Sequence, residues 1–312
     1  MSKILRPKLL IAGGGPGGYV AAVRAGRLGL ETVLVEAEKP GGTCLLKGCI
    51  PSKAIIHAAG LYAEMVRAGG AAGHLGIRLE SAPKIDLAET MRWKDGVVDK
   101  LTGGVAALLR RAHVTVLSGW ARFTDAKSCM VETADGVVKI EPEHVILATG
   151  SVPVELPFLP FGGNILSSTE ALSLTELPRT LAVVGAGYIG LELGIAFAKL
   201  GVRVALVEAA ERILPLYDEA LTRPVADWLR AHDVELHLQA RALGTSARGL
   251  DIETARGDRF TIPAEKMLVT VGRQPRTEGW GLEEMAIEMD GAFVKVDERC
   301  ATSTRNVWAI GD

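Results

Sequence analysis

Leu9-Leu10-Ile11-Ala12-Gly13-Gly14-Gly15-Pro16-Gly17-Gly18 is met again later in the chain as Leu181-Ala182-Val183-Val184-Gly185-Ala186-Gly187-Tyr188-Ile189-Gly190. Each copy opens on four apolar residues, as a buried strand does, and continues into glycines spaced GxGxxG. An apolar stretch of helical length follows. The copies then close on Thr32-Val33-Leu34-Val35-Glu36 and on Val204-Ala205-Leu206-Val207-Glu208. Strand, glycine turn, helix, strand and acid, in that order, describe a parallel βαβ unit. The predicted fold class is α/β, with two Rossmann-like dinucleotide-binding domains, the first carrying inserted helices and a β-meander.

The glycines have separate tasks. Gly13 permits the tight turn after the strand, Gly15 lets a pyrophosphate approach the backbone, and Gly18 lets the helix pack close to the sheet. The helix N-terminus offers N–H groups and partial positive charge to phosphates. Glu36 lies where an acid binds ribose hydroxyls, about twenty residues past the first glycine. Gly185, Gly187, Gly190 and Glu208 repeat the arrangement. A single GxGxxG often only links strand to helix, but here each match has its strand, its helix and its acid. Glu208 would repel a 2′-phosphate, which favours NAD over NADP. Arg203 and Arg212 are near in sequence, but neither occupies the strand end.

The 312 residues suffice for about two domains of roughly 100–200 residues each. Net charge is −2 with acids and bases interspersed, so nothing favours nucleic acid or an anionic membrane surface. No apolar run approaches the roughly 20 residues of a spanning helix. The opening Met1-Ser2-Lys3-Ile4-Leu5-Arg6-Pro7-Lys8 has no apolar signal region. A cytoplasmic protein is expected.

Between the repeats, residues 51–67 read as a helix with Pro51 in first position. Residues 69–84 read as a loop. Leu87 to Arg111 reads as a long helix loosened at Gly103-Gly104. Residues 114–117 form a strand, 121–140 a β-meander turning at Ala134-Asp135-Gly136, and 145–148 a buried strand. Pro153, Pro157 and Pro160 mark a boundary. After Glu208 come a helix over 218–232, a strand over 234–237, a hairpin over 249–262 and strands over 267–271, 293–296 and 307–310. The domains expected are 1–150, 151–275 and a return segment, 276–312, to the first.

The stretch after the first fingerprint carries the chemistry: Gly41-Gly42-Thr43-Cys44-Leu45-Leu46-Lys47-Gly48-Cys49-Ile50-Pro51-Ser52-Lys53. A cysteine pair in a reducing compartment is seldom a staple. Zinc would want a second ligand pair, and Cys129 and Cys300 stand alone, with His57 the only nearby histidine. Redox chemistry suits the pair better. A four-residue gap can bring two Cα atoms within the roughly 4.4–6.8 Å of a disulfide, and Gly48 relaxes the loop. Cys49 begins a helix, where the dipole and Lys53 would stabilise a thiolate. Two ordinary buried thiols are the plain alternative. Lys47 either lowers a thiol pKa further or points to solvent.

GGTCLLKGCIPSK resembles the active-site segment of the flavin-dependent pyridine nucleotide–disulfide oxidoreductases. Both fingerprints, Ala148-Thr149-Gly150 and the closing Thr304-Arg305-Asn306-Val307-Trp308-Ala309-Ile310-Gly311-Asp312 match in order. GGTC…GCIPSK, GAGYIGLELG and Glu208 make the likeness greatest to the dihydrolipoamide dehydrogenase branch. The resemblance implies two cofactors, FAD and NAD. FAD would lie on Gly13, Gly15, Gly18 and Glu36, with Gly42, Thr43, Lys53, Ala121, Thr149, Gly150 and Asp312 completing its site. NAD would meet Gly185, Gly187, Tyr188, Gly190, Glu208, Ala242 and Gly272. Cys49 matches the thiol beside the flavin, Cys44 the thiol that exchanges with substrate, and Lys53 and Glu192 an ion pair near the flavin edge. No metal is implied.

The implied reaction takes electrons from the dihydrolipoyl group of a 2-oxo acid dehydrogenase complex, through Cys44–Cys49 and FAD, to NAD⁺. Family members form homodimers through a C-terminal domain that supplies a His–Glu pair, and this sequence stops at Gly311-Asp312 before it. None of His57, His74, His113, His144, His232 and His237 takes that histidine's place. The alternatives are a non-catalytic nucleotide-binding fragment, or a disulfide reductase of the glutathione or mercuric type.

Overall fold

The structure is a computed structural model that describes residues 3–69, 77 and 79–312. Half of the loop expected over 69–84, residues 70–76 and 78, falls outside those residues, His74 among them. The chain forms two compact units. The first comprises Met1–Ile50, Val98–Val152 and Gln274–Asp312; the second comprises Pro51–Val97 and Pro153–Arg273.

The first unit is built on a parallel sheet in the order Val307–Ala309, His144–Leu147, Leu9–Ala12, Thr32–Glu36, Thr115–Ser118. Helix α1, Pro16–Arg27, joins the fingerprint strand to its neighbour. Helix α2, Gly42–Lys47, follows, and helix α3, Cys49–Gly69, begins one residue later. Helix α4 spans Leu87–Arg111. The strand residues sort by parity, because successive side chains leave opposite faces of a strand. Leu9, Ile11 and Leu34 enter a cluster with Ala22 and Ala25 of α1 and Val98, Val105 and Leu109 of α4. Leu10, Ala12, Val33 and Val35 enter another with Phe123, Val131 and Ile140 of the meander.

The meander strands Trp120–Asp125, Ser128–Thr133 and Gly136–Ile140 are antiparallel as the alternation predicts. A fourth strand, Lys3–Leu5, adds in parallel to the last of them, which the sequence pattern did not suggest.

The second unit repeats the plan. Its parallel sheet runs Ile165–Leu166, Lys266–Val269, Thr180–Val184, Arg203–Glu208, Glu235–Leu238. Helix α5 is the single turn Ser168–Ala171, α6 is Tyr188–Lys199 and α7 is Glu219–Ala231. Leu181, Val183, Val204 and Leu206 face the helices. Ala182, Val184, Ala205 and Val207 face a three-stranded antiparallel sheet. The expected hairpin is its second and third strands, Gly249–Thr254 and Arg259–Pro263; Ala240–Ser246 is an unanticipated first.

Two expectations need correction. Helix α3 starts at Cys49, so Pro51 is its third residue rather than its first. Proline is tolerated there because first-turn N–H groups have no intrahelical acceptor. Helix α4 runs unbroken through Gly103-Gly104. Each glycine costs about 1 kcal/mol relative to alanine, but buried Val98, Thr102, Val105 and Leu109 line one face and hold the helix. No helix among the described residues is long and apolar enough to cross a membrane.

Candidate functional site

Gly13 ends the first fingerprint strand with φ 103°, a conformation that glycine adopts without strain. A Cβ on Gly18 would stand 1.8 Å from the Gly13 carbonyl oxygen, so the start of α1 against that turn requires glycine. Gly15 is the N-cap and has no side chain with which to cap. The first-turn N–H groups are therefore presented to an incoming anion. Beyond them, the Glu36 carboxylate accepts the Gly14 N–H at 2.6 Å on one oxygen and the Glu38 N–H at 2.9 Å on the other. Each carboxylate oxygen has a further lone pair, which suits two vicinal ribose hydroxyls. The residues present fit a dinucleotide.

The chain next returns over this cradle. The Gly41 N–H donates to the Gly14 carbonyl at 2.8 Å. Gly42 has φ 61°, and a Cβ on it would lie 2.3 Å from the Gly15 Cα. Helix α2 thus begins against the fingerprint, with exposed Thr43 and half-buried Cys44 as its second and third residues. Gly48 links α2 to α3. Its Cβ position lies 3.0 Å from the Thr43 carbonyl oxygen and 3.4 Å from the Cys44 Cα, and Cys49 follows directly, exposed. This close approach brings the two cysteines to neighbouring helix ends. The Lys47 ammonium meets the Glu38 carboxylate at 2.5 Å, so its charge is engaged there.

Three further segments converge in this unit. The Gly119 N–H donates to the Glu36 carbonyl at 2.9 Å. Ala121, two residues on, pairs with Val131 in the meander. The Thr149 hydroxyl donates to the Arg276 carbonyl at 3.0 Å, and the Arg276 N–H donates to the Gly150 carbonyl at 2.8 Å. The Arg276 guanidinium lies 5.9 Å from the Trp120 ring centre. Ile310 and Gly311 come within 3.5 and 3.7 Å of the Cβ position of Gly17, which sets the exposed Asp312 beside the first turn of α1.

The second unit repeats the acid geometry. Glu208 accepts the Ala186 N–H at 2.7 Å and the Ala210 N–H at 2.9 Å. A Cβ on Gly190 would be 2.1 Å from the Gly185 carbonyl oxygen, whereas one on Gly187 would meet nothing within 4 Å. The cradle of this copy is open, and Tyr188 beside it is 58 % exposed. Arg203 begins the strand that Glu208 ends. The Arg212 guanidinium donates to the Tyr217 and Pro215 carbonyls, each at 2.7 Å, so both its terminal nitrogens are engaged.

Lys53 Nζ meets both Glu192 oxygens, at 3.1 and 3.2 Å. The Gly272 carbonyl accepts the Val154 N–H at 3.0 Å. Ala242 is the outlier, because it packs into the cluster under the sheet. A cavity of about 330 Å³ beneath α7 is lined by Arg212, Arg223, Arg230 and Leu236, with no fingerprint glycine and not Glu208.

Sequence reasoning passed over Gly41, Gly119 and Gly311, whose backbones close the first cradle. Their only signal was glycine next to residues already singled out. It also passed over Arg276, Ala210 and Leu214, which no motif marks.

Comparison with known proteins places these features in company. The profile of the family described as Pyridine nucleotide-disulphide oxidoreductase matches residues 7–312. A dihydrolipoyl dehydrogenase of Pseudomonas aeruginosa is 58 % identical over 313 aligned residues, covering 100 % of this chain and 67 % of the relative. One from Geobacillus stearothermophilus is 41 % identical, covering 99 % and 65 %. Among solved structures, LpdA from Mycobacterium tuberculosis superposes with TM-score 0.86 at 28 % identity, covering 99 % of this chain and 67 % of that one. The Cu(II) complex of the HOCl-induced flavoprotein disulfide reductase RclA from Escherichia coli gives 0.84 at 28 %, covering 100 % and 66 %. The chain spans about two thirds of the length of the curated relatives it matches.

Proposed function

The chain belongs to the pyridine nucleotide-disulphide oxidoreductase family, and from that premise we propose that it is the nucleotide-binding and redox-active part of a dihydrolipoyl dehydrogenase. FAD is assigned to the first fingerprint and NAD to the second, where Glu208 disfavours a 2′-phosphate. The observation that carries the reading is Gly42 packed against Gly15, with Gly48 folded onto Cys44. That chain path ties a cysteine pair to a phosphate cradle.

Cys44 is the thiol that exchanges with substrate. A dihydrolipoyl thiolate attacks Cys44 Sγ of a Cys44–Cys49 disulfide. The bond between the two cysteines breaks, a mixed disulfide forms on Cys44, and Cys49 leaves as thiolate. The second substrate thiol, losing its proton, attacks the substrate sulfur. This closes the lipoyl disulfide and releases Cys44, which takes up a proton. Two electrons now reside in the cysteine pair. Bound FAD supplies the two-electron redox chemistry between a dithiol and a nicotinamide. Lys53 is the fixed cation of the site and Glu192 its holder. Thr149, Gly150, Ala121 and Asp312 line the FAD track, and Tyr188 and Gly272 border NAD. The partner is the dihydrolipoyl group of a 2-oxo acid dehydrogenase complex.

The test separates the thiols from the nucleotide sites. Cys44→Ser and Cys49→Ser should each abolish dihydrolipoamide-dependent NAD⁺ reduction while sparing NADH oxidation by a dye acceptor. Retention of dihydrolipoamide oxidation in either variant would overturn the assignment.

A further inference from the structure

Gly14 and Ala186 hold the same place in the two fingerprints and carry the same bonds. Each gives its N–H to the carboxylate of the acid. Each lends its carbonyl to the chain returning after that acid: Gly41 donates to Gly14 at 2.8 Å, and Leu214 donates to Ala186 at 3.1 Å. The copies then part. In the first unit the next residue, Gly42, lies against Gly15 and the chain enters α2. In the second, Gly187 keeps clear space above it.

What holds the returning chain off Gly187 is on view. Leu214 adopts φ 48°, which favours glycine, and the Tyr217 N–H closes a turn onto the Leu214 carbonyl at 3.0 Å. Leu214 packs on the helix-side cluster, but Pro215, Leu216 and Tyr217 are all exposed, Leu216 by 96 %, so apolar packing holds only the start of the turn. Its side-chain tie is Arg212, whose guanidinium spans the Pro215 and Tyr217 carbonyls.

We propose that Arg212 is a positioning residue for the dinucleotide of the second fingerprint: it pins the 214–217 turn beside Ala186 and keeps the space over Gly187 open. The first cradle, with Gly42 in the matching place, retains its nucleotide, whereas the second exchanges one at every turnover. This rests on the reading of the second fingerprint as the NAD site. The bridge is fit for the purpose because a planar guanidinium satisfies two carbonyls at fixed separation, whereas an alanine leaves the exposed residues 215–217 without their side-chain tie.

The experiment measures NADH binding by nucleotide fluorescence in wild type, Arg212→Ala and Arg212→Lys, alongside thermal melting and saturating turnover. Arg212→Ala should raise the NADH Kd about tenfold with turnover at saturation changed by less than about threefold. Arg212→Lys, able to reach one carbonyl, should recover part of that loss. A purely structural role would lower the melting temperature without separating binding from turnover. If Arg212→Ala does not fold, Arg212→Lys decides: NADH binding weakened by about threefold or more supports the proposal. An NADH Kd within about twofold of wild type in the folded variant overturns the inference alone. Wild type that does not bind NADH overturns the NAD assignment and the inference with it.

Discussion

Cys129 shows at the scale of one residue how burial separates inert from reactive thiols. It is fully buried in the meander cluster, and that burial pushes its thiol up to about 12 against an opposing backbone hydrogen bond from Arg122. The thiolate is the reactive form, so Cys129 should resist iodoacetamide in the folded protein at pH 8 and react after denaturation; peptide mapping checks this. The raised value also has a stability sign. The folded state keeps its proton where the unfolded thiol loses it, so the contribution is intact below about pH 9 and is lost as pH rises toward 12. Glu192 gives a second residue-scale prediction. Its pair with Lys53 is exposed by 60 % and 40 %, a setting in which ion pairs contribute about 0–1 kcal/mol. Glu192→Gln should therefore leave the melting temperature nearly unchanged while turnover falls by about 10²-fold, the scale expected when charge stabilisation is lost. The cysteines, the acids and the fingerprint glycines were legible in the sequence because their residue types suit the chemistry proposed for them. The backbone donors Gly41 and Gly119 were not, since a carbonyl partner leaves no trace in residue type.

At the scale of the element, helix α4 tests propensity against packing. Gly103 and Gly104 lie within it, and a Cβ added to either meets nothing within 4 Å. Alanine at each should stabilise the protein by about 0.5–1 kcal/mol, read as a raised denaturation midpoint; a lowered one would mean that the helix is not continuous there. The same helix stays continuous through both glycines for a packing reason. Burial along Val98, Thr102, Val105 and Leu109 outweighs two weak helix formers. The strands of both fingerprints were legible because four apolar residues before a glycine turn have few other uses. Lys3–Leu5 and Ala240–Ser246 were not, because their pairing partners lie far along the chain.

Across the molecule, the duplication governs most of the architecture. Both parallel sheets send alternate residues to helices on one face and an antiparallel sheet on the other. Each unit also carries an ion-paired carboxylate. Glu141 is held below the usual carboxylate range by hydrogen bonds from Lys139 and Arg6, and Glu265 by the backbone and side chain of Arg179. A lowered folded value means that stability is present above the unfolded pKa and is lost as pH falls through the folded one. Melting temperature should therefore decline on acidification below the ordinary carboxylate range, and Glu265→Gln should flatten that slope; both groups are in part open to solvent, so salt should weaken the effect.

The central claim is that Cys44 and Cys49 form one redox pair served by both nucleotides. Differential alkylation with peptide mapping, before and after anaerobic NADH treatment in the presence of FAD, tests it most directly. The account predicts that reduction opens Cys44 and Cys49 together to the reagent while Cys129 stays unlabelled. Labelling of the pair that does not depend on NADH, or NADH-dependent labelling confined to Cys300, would contradict it.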